Sequence, residues 1–265
     1  MSFNDEGFLT LDLVEWMATT RVQFKEWFDL VDSFNRGAIK ILLAIKPSLS
    51  KNQELVAASL YRRAIQSFEG AVLMTERGMI ADARSLVRSC AETAIAIWGV
   101  AIDEKFVDAL IEAHQSHRLR HANALLKDPE SCQELKPEQV SNLQQVVAEV
   151  TRQYQPPRPQ SIIWDQVAKR AKIVALYDTI YRMTSGDAAH ATVLALDRHV
   201  EPDGRGKIGQ LTFRPETRDL AQTLSFATNA LLHAMVAIAR VFPQEEIEGT
   251  VKSCMDQWQA MHPEQ

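Results

Sequence analysis

The stretch from Ala83 to Ile102 constrains the fold more than any other part of the chain. Leu86, Val87, Cys90, Ala94, Ile97, Trp98 and Ala101 recur at helical spacing, and Ala91, Ile95, Ala96 and Val100 fill most of the other side. From Cys90 to Ile102 only Glu92 and Thr93 carry polar side chains. A helix that is apolar on nearly every side has to be enclosed. A carboxylate inside such a helix is costly unless it is paired. Arg88 stands one helical turn before Glu92 and is placed to pair with it, and Arg84 lies one turn further back on the same line.

The rest of the chain supplies helices to do the enclosing. Ten Gly and ten Pro in 265 residues favour long uninterrupted elements over many short strands. Helical spacing runs from Leu9 to Phe34, with an interruption expected at Gly37 and a short helix to Ile45 before Lys46-Pro47. Ser50-Lys-Asn-Gln53 has capping-box form and opens a helix to Arg77, with Gly78 as a left-handed cap. Further helices are expected over Asp82–Ile102, from Asp103 to Lys127, over Pro137–Tyr154, from Ser161 to about Met183, up to Asp197, over Pro215–Arg240 and over Pro243–Trp258. Gln155-Pro-Pro-Arg-Pro159 reads as a stiff linker. Asp203-Gly204 is a turn signal. The expected fold is all-α: an antiparallel multi-helix bundle of eight to ten helices with at most one small β-hairpin near residues 199–213. Residues 1–49 would form an N-terminal helical extension, 50–240 the bundle core, and 241–265 a C-terminal helix packed on the same domain.

Charge and cysteine content narrow the function classes. The net charge is −5, with −4 in residues 1–36, −4 in residues 241–265 and +3 between them, which is not the balance of a general nucleic-acid binder. Cys90, Cys132 and Cys254 are sparse and in no CxxC spacing, so neither a disulfide framework nor a zinc ribbon is expected. Leu220 to Ala239 carries no Asp, Glu, Lys or Arg and is long enough to span a bilayer. Gln222, Ser225, Asn229 and His233 recur along it at three- and four-residue steps, the stripe of an amphipathic soluble helix. The polar, acidic start from Met1 to Gly7 is unlike a secretory leader. A cytoplasmic protein with no membrane partner is expected.

Polar residues that packing does not require mark the candidate sites. Between Tyr177 and His190 an apolar run ends in a cluster of small and polar residues: Arg182, Thr184, Ser185, Asp187 and His190. Thr184, Ser185 or Asp187 could cap a following helix. Arg182 would serve as an anion clamp and His190 as a general acid or base. Arg88, Glu92, Ser185, Asn229 and His233 are the candidate binding residues, on the expectation that the polar stripe turns towards Glu92. His114, His117 and His121 share one helical face, but no HExxH carboxylate accompanies them, and a solvated face with no metal is the expectation. No cofactor is expected.

Three ordered segments carry a family resemblance: Asp82-Ala-Arg-Ser-Leu-Val-Arg88-Ser-Cys-Ala-Glu92, Tyr181-Arg-Met-Thr-Ser-Gly-Asp-Ala-Ala-His190, and the Asp203-Gly-rich stretch running into Phe213. Together, over roughly residues 50–240, they resemble a family of uncharacterised bacterial all-helical proteins similar to the HEPN helical bundles. The resemblance implies one of two functions. One is a non-enzymatic binding or regulatory module, part of a bacterial stress or phage-defence system, with a partner protein or small ligand. The other is a metal-independent ribonuclease acting on RNA through Arg182 and His190. Met183 stands where asparagine commonly follows the arginine in the nuclease motif. The resemblance also implies a homo-oligomer.

Overall fold

A computed structural model describes residues 3–154, 158–188, 193–205 and 207–262. The chain divides into two compact units, one formed by residues up to Ile102 together with those from Trp164 onward, the other by Asp103–Ile163. The fold is all-α with one small hairpin, as the sequence leads one to expect.

The larger unit is built around three helices, α4 (Asn52–Glu76), α5 (Ile80–Ile102) and α12 (Leu220–Val241), each packed on the other two. α5 is the apolar stretch singled out above. Val87, Cys90, Ala91, Ala94, Ile95, Ile97 and Val100 along it have no exposed surface. α5 and α12 are both long and apolar enough to cross a membrane, yet each turns at least half of that apolar stretch into the protein interior. Protein packing therefore accounts for much of their apolarity. α4 reverses into α5 through Gly78, whose φ of +74° is the left-handed cap the sequence calls for. Gly78 N–H donates to the Thr75 carbonyl at 3.0 Å and Met79 N–H to the Met74 carbonyl at 2.9 Å, so the end of α4 is closed by its own backbone.

Short α1 (Phe3–Glu6) precedes α2 (Leu13–Gln23) and α3 (Lys25–Ala44); α3 packs on α4, α12 and α13 (Glu245–Met261). The break expected at Gly37 falls instead at Phe24, between α2 and α3. Gly37 stays inside α3 because the neighbouring helix comes close. A Cβ there would lie 2.9 Å from the Cys254 Sγ of α13.

The helix expected from Ser161 to Met183 is divided. α9 (Trp164–Ala171) stops at Lys172, a non-glycine residue at φ +59°. The chain then enters a π-helical turn over Leu176–Tyr181 and continues as α10 (Arg182–Ala188). Helical structure therefore runs past Met183, and Thr184 and Ser185 lie within it rather than capping a new helix. Their hydroxyls donate back to the carbonyls of Ile180 and Tyr181, four residues earlier. After α11 (Val193–Asp197), β1 (Val200–Pro202) pairs antiparallel with β2 (Ile208–Leu211), with Val200 opposite Leu211 and Glu201 opposite Gln210. Asp203 Oδ1 closes the turn by accepting from the Arg205 and Lys207 amides at 2.9 and 2.8 Å. α12 begins at Leu220 rather than at Pro215. Its start is fixed by Asp219, held at φ +61°, whose carboxylate lies 2.9 Å from Arg198 Nη2 and 3.9 Å from Arg84 Nη1, both arginines being buried.

In the smaller unit α6 (Phe106–Lys127) packs on α8 (Pro137–Gln153), with α7 (Pro129–Glu134) between them in sequence. Asp128 caps α7 through a 3.0 Å bond from the Ser131 amide. Gln155, Pro156 and Pro157 of the proline-rich linker lie outside the described residues.

Two glycines predict opposite outcomes. A Cβ at Gly78 would meet the Glu216 amide nitrogen and the Trp16 ring, each at 2.7 Å, in a backbone conformation that alanine resists. Gly78→Ala should lower stability in chemical denaturation by about 2–4 kcal/mol. Gly249, inside α13 with open space around its Cβ position, should gain up to about 1 kcal/mol as alanine.

Candidate functional site

The π-helical turn packs against α5 and presents a polar cluster to it. Arg182 N–H donates to the Tyr177 carbonyl, five residues back, which is the wider hydrogen-bond step of a π-helix. Leu176 and Ile180 are buried. Tyr177 and Tyr181 stack on each other with ring centroids 5.1 Å apart and an interplanar angle of 19°.

Arg88 of α5 is the centre of the cluster. Its Nε donates to Ser185 Oγ at 2.8 Å and its Nη2 to the Tyr181 hydroxyl at 2.9 Å. The guanidinium carbon lies 4.7 Å from the centroid of the Tyr181 ring. Glu92 Oε2 is 3.7 Å from Nη2, the one-turn pairing that the sequence implies. Nη1 makes no hydrogen bond to any described residue, and the Arg88 side chain is 28% exposed. Glu92 is 34% exposed, so it lies at the margin of the apolar helix rather than in its interior. Burial raises the Tyr181 pKa, and the Glu92 carboxylate raises it further against the opposing pull of Arg88. The hydroxyl thus stays protonated, accepting from Arg88 while its proton is drawn towards Glu92. The arrangement is a guanidinium pinned through two of its three nitrogens, with the third available to an acceptor.

The other sequence candidates are placed differently. Arg182 is 67% exposed and pairs at 3.2 Å with Asp178 of its own turn, not with the Arg88 cluster. His190 and the side chain of Asp187 lie outside the described residues. Asn229 and His233 sit one turn apart on α12, half-buried and with no hydrogen bond to the cluster. Desolvation pushes the His233 pKa down to about 4. His114, His117 and His121 are exposed on α6, with the last two rings stacked at 6.4 Å. Among the described residues no three His, Cys, Asp or Glu side chains gather as a metal ion would need. Tyr181 and Tyr177 are the residues that sequence reasoning missed. The signal was present in the four-residue steps Tyr177, Tyr181, Ser185.

A cavity of about 580 Å³ between the hairpin and the start of α12 is lined by Arg198, Arg214 and Arg218. Each of these arginines is already engaged by a carboxylate: Arg198 by Glu216, Arg214 by Glu201, and Arg218 by Asp197. That cavity is walled by ion pairs, whereas Arg88 keeps a donor unused.

A model of a family of unknown function, DUF5677, matches residues 54–208, more than half of the chain. The chain belongs to the DUF5677 family. No curated protein and no solved structure matches it. The DUF5677 segment contains Arg88, Glu92, Tyr177, Tyr181 and Ser185, and leaves Asn229 and His233 outside.

His233 gives a prediction of sign. Its folded pKa of about 4 lies below the ordinary histidine value of 6.5. The unfolded chain therefore takes up a proton first as pH falls, so the neutral, buried imidazole favours folding above pH 6.5 and disfavours it progressively from there down to pH 4. Between pH 7 and pH 4 the wild type should lose on the order of 2–3 kcal/mol more stability than His233→Gln in urea unfolding. Parallel pH profiles for the two proteins would contradict this assignment.

Proposed function

We propose that this DUF5677 protein is a non-enzymatic helical binding module that receives an anionic group, a phosphate or a carboxylate, at Arg88. The observation that carries the reading is the fixed guanidinium. Ser185 and Tyr181 hold Nε and Nη2, so the planar group loses little freedom on binding, while Nη1 and part of the side-chain surface remain accessible. The Tyr177–Tyr181 stack beside it offers an aromatic wall for the body of the ligand.

A second reading, the metal-independent ribonuclease using Arg182 and His190, draws support from one observation. The Arg182 guanidinium is two-thirds exposed and tethered only through Asp178, leaving it open to a phosphodiester. The resemblance to HEPN bundles, and with it a role in bacterial stress or phage defence, belongs to this reading and to the binding one alike.

One titration separates them. A fluorescently labelled single-stranded oligoribonucleotide and inorganic phosphate are titrated against wild type, Arg88→Gln and Arg182→Ala, and the RNA is recovered and sized. The binding reading predicts intact RNA, a loss of about tenfold to a hundredfold in affinity for both probes in Arg88→Gln, and little change in Arg182→Ala. Unchanged affinity in Arg88→Gln overturns it. RNA decay that vanishes in both Arg182→Ala and His190→Ala establishes the nuclease instead.

A further inference from the structure

A second site lies in the groove where α2, α3 and α4 meet, away from Arg88, and does not depend on the reading above. The groove encloses about 310 Å³, within the range of small-ligand sites. Its floor is apolar, formed by Val31, Phe68 and Val72, all buried. Its walls carry one cation against three carboxylates. Arg21 of α2 reaches across one end, bonding to Asp32 of α3 at 3.0 Å and to the buried Glu76 of α4. Its guanidinium also lies 4.8 Å from the Phe28 ring centroid. Asp32 and Glu76 thus share a single positive charge.

The remaining polar groups of the groove are acceptors without donors. Glu69, half-buried on α4, makes no hydrogen bond or ion pair with any described residue. Asn35, one turn after Asp32 on the same face of α3, turns a buried Oδ1 that accepts no hydrogen bond from any described residue. Carboxylate and amide oxygens that lose water without gaining a donor are costly. An apolar, aromatic-floored groove with spare acceptors and an excess of negative charge is complementary to one chemistry: a positively charged N–H donor on a hydrocarbon body. The cation would sit between Glu69 and Asn35, with its carbon skeleton against Phe68 and Val72.

We propose that this groove binds a small organic ammonium ion. The test is isothermal titration of the full chain with phenethylammonium chloride at constant ionic strength, with phenethyl alcohol as the uncharged counterpart of the same shape. Saturable binding of the ammonium ion is expected, with the alcohol at least about tenfold weaker. Glu69→Gln removes a charge that no described residue uses, so its melting temperature should match wild type while its affinity falls about tenfold or more. Asn35→Leu should weaken binding in the same direction. Arg88→Gln should bind the ammonium ion as wild type does, which keeps this result separate from the anion site. Absence of saturable heat at millimolar ligand, equal binding of the alcohol, or wild-type affinity in a well-folded Glu69→Gln overturns the proposal.

Discussion

The enclosure of α5 by α4 and α12 is the constraint on which the rest of the larger unit depends. Apolar side chains cover nearly the whole circumference of α5, and the chain meets that demand by reversing tightly at Gly78 and bringing α12 back from far along the sequence. Fully burying each large apolar side chain contributes about 1.5–3 kcal/mol, so the middle of α5 cannot turn to water without unfolding the unit. The polar residues near its N-terminal half therefore have fixed positions and must find partners there. Arg84 meets Gln222 and lies near Asp219, and Arg88 meets Ser185 and Tyr181.

The partners come from two backbone irregularities. Asp219 sits in a left-handed conformation before α12, where its carboxylate serves two buried arginines. The π-helical turn after Lys172 stacks two tyrosines and sets Tyr181 and Ser185 against Arg88. Both features are locally unfavourable and are retained by the tertiary contacts they make. Such a turn widens the helix by one residue and shifts every later side chain in phase, which is how residues 181 and 185 come to share one guanidinium.

What could be read in advance follows the same division. The all-helical class, the enclosed helix, the Gly78 cap and the Arg88–Glu92 pairing were legible because each rests on spacing along one helix. Glu92 was expected in the interior, since periodicity reports that a side is apolar but not where the bundle ends. Gly37 read as a break because its reason is the approach of Cys254 from a helix more than two hundred residues away in sequence. Lys172 in a left-handed conformation has no composition signal at all, so the division of the expected helix, the continuation past Met183 and the role of Tyr181 were hidden together.

The central claim is that Arg88 is locked by Tyr181 into a fixed guanidinium, and a double-mutant cycle tests it most directly. Arg88→Gln, Tyr181→Phe and the double variant are compared with wild type by chemical denaturation. The Tyr181 hydroxyl and the Arg88 Nη2 donor should couple by about 1 kcal/mol or more, because each loses its bond when the other is replaced. Additive losses, with the double variant destabilised by the plain total of the two single changes, would contradict the account.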